Sequence, residues 1–147
     1  MVELDTPRRR VMAVIIRTLM VFDTVALLFA ASLHVAGTSI ALGSATFDEP
    51  QIVPAAIVEG LAGLIFLVSA YGVFAGKSWT WPAALSAHIF AIAGFLVGIV
   101  ATNGGTSPFN YVYHRVMLVV FLLGLVLLAT RSARRALAYG ERDAQIA

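Results

Sequence analysis

Four apolar runs, each long enough to cross a lipid bilayer, fill most of this 147-residue chain and leave little choice of fold. A helix needs about 20 residues to span the hydrocarbon. Stretches near 12–36, 53–75, 81–102 and 111–130 all meet that length. Backbone N–H and C=O groups find no water in lipid, so each run is expected to bond within itself as a helix. The breaks are short and rich in turn formers: Gly43, Asp48, Glu49 and Pro50 in the first, Gly76-Lys77-Ser78-Trp79 in the second, Asn103 to Pro108 in the third. Short connections make successive helices antiparallel. The chain therefore reads as all-α: one integral membrane domain, a four-helix up-down bundle, with residues 131–147 as a tail. Composition agrees. Hydrophobic residues make up 60% and charged residues 12%, half or less of the roughly 25% usual in soluble domains.

Charge placement gives the expected orientation. Nine of the ten Lys and Arg residues lie at the N-terminus, in the second break or at the C-terminus, which an even number of spans puts on one side. Basic residues are retained in the cytoplasm, so both termini are expected there, in a bacterial-type plasma (inner) membrane. Arg115 is the basic residue of the opposite face, where Asp48 and Glu49 also fall. The arginines flank apolar runs and form no stripe with interleaved aromatics, which argues against nucleic acid. Arg8, Arg9 and Arg10 precede an apolar stretch as in a signal peptide. That stretch contains Arg17 and Asp23 and outruns the usual h-region, so it is expected to remain as a membrane helix. No cysteine is present, which excludes disulfides, thiolate metal sites and iron–sulfur clusters.

Ionisable groups inside a bilayer are costly, and each carries a functional hypothesis. Counting about 1.5 Å per residue places His34 near the outer end of helix 1, Glu59 two turns into helix 2 and His114 one turn into helix 4. These three, with Arg115, form a candidate ligand-binding set in the outer leaflet. Asp23, Leu27, Ala30 and His34 share one helical stripe. Around Glu59, Ala55, Ala56, Ala62 and Gly63 let a neighbouring backbone approach. Asp23 and His88 fall deeper and form a candidate buried polar pair. Two histidines and a carboxylate suit a divalent metal; two histidines on facing helices suit a b-type haem; a quinone needs only hydrogen-bond partners. Alternatively these groups serve only to orient helices, with Glu59 paired to Arg115 or His114. Soluble catalytic motifs (a nucleophile elbow, a P-loop, a dinucleotide fingerprint) are missing from the sequence, so no catalytic residue is assigned and the chain is not expected to be an enzyme on its own.

The stretch Val58-Glu59-Gly60-Leu61-Ala62-Gly63-Leu64-Ile65-Phe66-Leu67-Val68-Ser69-Ala70 resembles helix 2 of the DoxX-like family of small four-helix bacterial membrane proteins. The early Arg17 and the four-span layout are also similar, while helix 1 ends differently, in Ser32-Leu33-His34-Val35-Ala36-Gly37. The resemblance implies an accessory or quinone-linked role beside a membrane oxidoreductase. The expectation is thus a redox-associated membrane subunit with a haem-, metal- or quinone-binding site at His34, Glu59 and His114, acting within an oxidoreductase complex or as a homo-oligomer. The alternatives are a structural or assembly protein, or a small-solute or proton carrier.

Overall fold

The computed structural model describes residues 6–48, 50–103 and 107–138. It is a bundle of four long helices, α1 (Thr6–Ala36), α2 (Val53–Phe74), α3 (Thr80–Ala101) and α4 (Pro108–Ala129), closed at one end by a short helix, α5 (Arg131–Ala138), and extended at the other by a hairpin of β1 (Ser39–Leu42) and β2 (Ala45–Asp48). All four long helices are long and apolar enough to span a membrane. Of the loop and tail residues considered above, Glu49, residues 104–106 and residues 139–147 lie outside the described residues.

The lipid-facing surface and the interior follow helical spacing. Val97, Val100, Leu123 and Val126 are each about two-thirds exposed or more, as side chains bathed by lipid would be. On the inner faces, Ala84, Ala87 and Ala91 of α3 are fully buried, and such small residues bring neighbouring backbones together. Hydroxyls inside the bundle bond back to their own helices: Thr24 donates to the Met20 carbonyl at 2.7 Å and Ser69 to that of Ile65 at 2.8 Å. This satisfies a polar group without a partner from another helix.

Helix 1 ends where Gly37 takes a left-handed conformation, φ +56°. Its N–H bonds the Leu33 carbonyl at 2.8 Å, an αL cap. A methyl group there would meet Gln51 Cβ at 2.9 Å, so glycine is required twice over. Beyond the helix, the apolar run Ile40-Ala41-Leu42 does not prolong α1 but lies in strand β1. It pairs antiparallel with β2, Ser39 opposite Asp48 and Leu42 opposite Ala45, around a two-residue turn at Gly43, φ +64°. Tight hairpin turns of this kind favour a glycine with positive φ. The chain returning from the hairpin then caps α1: the Ile52 N–H donates to the His34 carbonyl at 3.1 Å and the Gln51 amide to that of Val35 at 3.1 Å. Carbonyls orphaned at the end of α1 are thereby satisfied by the entry to α2.

Opposite the hairpin lies the terminal end of the bundle: the start of α1, the α2–α3 connection and α5. Here the Trp81 indole N–H donates to the Leu128 carbonyl at 2.9 Å, and the Arg134 guanidinium lies 4.0 Å from the centre of the Trp81 ring. The first part of the expected tail is helical. Thr130 Oγ1 accepts from the Ala133 N–H at 3.1 Å, a side-chain cap, and Ala133 and Leu137, four residues apart, are buried against the bundle.

Candidate functional site

Each of the long helices contributes to a polar interior. The stripe Asp23, Leu27, Ala30 and His34 on α1 is buried along its whole length, none of the four more than 3% exposed. Asp23 and His34 lie eleven residues apart on α1, about 16 Å along the axis, and each meets a partner from another helix.

At the hairpin end, His34 Nε2 of α1 stands 3.5 Å from Glu59 Oε2 of α2, both side chains almost fully buried. The cap from Gln51 and Ile52 holds the last turn of α1 against α2 at this level. His114 of α4 is buried nearby and lies within electrostatic range of His34 and Arg115. Its Nδ1–H donates to the Asn110 carbonyl at 2.9 Å, which sends Nε2 toward α3, where a methyl group on Gly98 would sit 3.4 Å away. Arg115 donates to the Tyr111 carbonyl at 2.9 Å and lies over the Tyr111 ring. Ser107 caps this helix by accepting from the Asn110 N–H at 2.9 Å.

Deeper in the bundle, His88 Nε2 of α3 stands 3.6 Å from Asp23 Oδ2 of α1, and neither side chain has any exposure. The geometry limits the protonation states of this pair. His88 Nδ1 lies 2.8 Å from the Ala84 carbonyl; a carbonyl only accepts, so Nδ1 carries a proton. Nε2 then faces Asp23 either as an acceptor toward a carboxylic acid or as a donor toward a carboxylate. Both arrangements share one proton, and the pair as a whole is neutral. A second proton would leave an isolated cation in lipid and removal of the shared one an isolated anion, each strongly disfavoured. Neither Asp23 oxygen nor His88 Nε2 has a hydrogen-bond partner among the described residues. His88 is fully buried at the centre of the bundle. Gly124 of α4 makes room for it: a methyl group there would overlap Nε2 and sit 2.6 Å from Cδ2.

Between the two levels lies a layer of large apolar side chains. Phe66, Phe95 and Phe121 are at most 2% exposed; Phe121 stacks on Phe66 at 5.7 Å and meets Phe95 edge-on at 5.1 Å. Phe66 lies 4.9 Å from the His88 ring below, and Phe95 4.9 Å from the His114 ring above. Sequence reasoning passed over this layer, although the signal is present. Each phenylalanine follows an ionisable residue by seven positions, Glu59 to Phe66, His88 to Phe95 and His114 to Phe121. Seven residues are about two turns, so each pair shares one helical face.

Of the cofactor candidates, a metal ion fits poorly, since among the described residues no three His, Asp or Glu side chains come together to hold one. A bis-histidine haem needs both Nε2 atoms turned into one space wide enough for a macrocycle. Instead, His34 Nε2 faces Glu59 and His114 Nε2 abuts Gly98. No family model matches the chain, and neither a curated protein nor a solved structure is significantly similar to it.

Proposed function

We propose that this small multi-pass membrane protein is a non-catalytic accessory or assembly component, with both termini cytoplasmic in a bacterial-type plasma membrane, whose buried ionisable groups set the order and register of its helices. One observation carries the reading: Asp23 and Glu59 each face a histidine from a different helix at 3.5–3.6 Å. Groups that are costly in lipid neutralise one another, and both pairs run through α1. The aromatic layer supports the same reading over proton carriage, because it separates the two pairs with rings that neither donate nor accept a transferable proton. Clustering of Lys and Arg at the terminal end supports the orientation.

A second reading, a redox-associated subunit with a quinone-type ligand at His34, Glu59 and His114, is supported by the buried His34–Glu59 pair at the hairpin end, with His114 of α4 buried within electrostatic range of His34. It also accords with the resemblance of Val58 to Ala70 to the DoxX-like family, membership of which belongs to this second proposal. In that reading the histidines hydrogen-bond the ligand's oxygens and Glu59 takes up a proton, within an oxidoreductase complex or a homo-oligomer.

Purified protein in mild detergent separates the two. The accessory reading expects no haem absorbance, no stoichiometric metal and no change in melting temperature on titration with a short-chain quinone. Saturable quinone binding that is lost in His34→Ala and Glu59→Gln would replace it with the second reading.

A further inference from the structure

At the terminal end, the start of α1 and the first turn of α5 enclose a cleft of about 420 Å³ whose polar lining is Arg8, Arg9, Ser132 and Arg135. Three guanidiniums and a hydroxyl around one space suit a phosphate: arginine binds phosphate oxygens through paired N–H donors, and the hydroxyl adds another. The floor of the cleft is apolar and includes Val11, Met12 and Ile15. Ile15 also belongs to a second groove, of about 410 Å³, which continues along α1 past Thr18 to Phe22. Val14, Ile15 and Phe22, which line it, are 58%, 46% and 50% exposed, so this groove opens to lipid. Ile15 to Phe22 spans about 10 Å along the helix, two-thirds of the roughly 15 Å depth of one leaflet's hydrocarbon.

A phosphate-sized basic cleft running directly into a lipid-facing apolar groove matches a molecule with an anionic head and an acyl chain. We propose that the α1–α5 cleft is a specific binding site for an anionic phospholipid, its phosphodiester held by Arg8, Arg9 and Arg135 and one acyl chain lying in the Ile15–Phe22 groove. This inference rests on the membrane fold alone and is independent of the function proposed above. It differs from general attraction of basic residues to a charged surface because it selects particular arginines. Arg10 and Arg131 carry the same charge at the same level but do not line the cleft. The site gives α5 a role: its packing on α1 builds one wall.

The test counts lipids retained by the full chain in native mass spectrometry, after incubation in mild detergent with phosphatidylglycerol or phosphatidylcholine of identical chains. Preferential retention of one phosphatidylglycerol is expected. Arg9→Ala/Arg135→Ala should weaken it by about thirtyfold, at about fivefold for each basic residue. Arg10→Ala/Arg131→Ala, with the same loss of charge, should change it by less than about twofold. Ile15→Trp, which fills the groove and keeps every charge, should weaken it by about tenfold; this variant decides the matter if the arginine double variant fails to fold. Equal retention of the two lipids would overturn the proposal, as would an equal effect of both arginine double variants or an indifferent Ile15→Trp. Displacement of the lipid by millimolar inorganic phosphate would also overturn it, in favour of a phosphate site without acyl recognition.

Discussion

The two buried pairs look alike in composition and differ in surroundings. Asp23–His88 sits between helices that do not adjoin in sequence, walled by Phe66 and Phe121 and lodged in the space left by Gly124. His34–Glu59 joins consecutive helices at the hairpin end, where His114, Arg115 and the capping Gln51 lie close by. Polar neighbours at the hairpin end give a displaced proton or side chain somewhere to go. At the inner pair, among the described residues, the Asp23 carboxyl is matched only by His88, whose Nδ1 is already held by the Ala84 carbonyl. The inner pair should therefore be intolerant of change and the outer one forgiving, whatever either does in the cell.

The largest effect should come from removing one inner partner. His88→Ala leaves Asp23 buried without compensation and should lower stability by about 3 kcal/mol, read as a drop in melting temperature in detergent. Asp23→Asn should cost under about 1 kcal/mol if His88 is the neutral acceptor, because an amide N–H can donate to Nε2. An Asp23→Asn penalty as large as that of His88→Ala would instead identify an imidazolium–carboxylate pair. Next in size, Gly124→Ala drives a methyl group into the His88 ring and should cost about 2 kcal/mol. Gly98→Ala beside His114 places its methyl at ordinary contact distance and should stay within about 0.5 kcal/mol. If the two glycines proved equally sensitive, the contrast in packing would fail. Glu59→Gln at the outer pair should cost about 1 kcal/mol, since its amide can still donate to His34; a loss above that of His88→Ala would reverse the ranking of the pairs.

Helical spacing made the buried stripe of α1 readable from sequence, because steps of four, three and four residues put Asp23, Leu27, Ala30 and His34 on one face. The same arithmetic put His34 level with Glu59 and set Asp23 and His88 deeper, and the structure pairs them accordingly. It could not reach the partner of Glu59, which depends on how far α2 is rotated relative to α1 and not on any period within either. The hairpin was hidden for a different reason. Ile40-Ala41-Leu42 is as apolar as the helix before it, and the decision rests on backbone conformations at Gly37 and Gly43 that composition does not reveal. Helix α5 was masked by its arginines, which read as a basic tail at the headgroups, although Thr130, Ala133 and Leu137 mark a cap and a buried edge.

That both pairs run through α1 has a consequence for how the protein enters the membrane. Asp23 must leave the translocation channel before its partner on α3 exists, and His34 before its partner on α2. An aspartate at the centre of a lone helix opposes insertion by about 2.5–3.5 kcal/mol. The first helix made should then be the last to settle, held beside the channel until the third has emerged. In a cell-free insertion assay, chains ended after α1 should integrate less completely than chains carried through α3, and Asp23→Leu should abolish the difference. Equal integration of both lengths would show instead that the apolar length of α1 suffices alone.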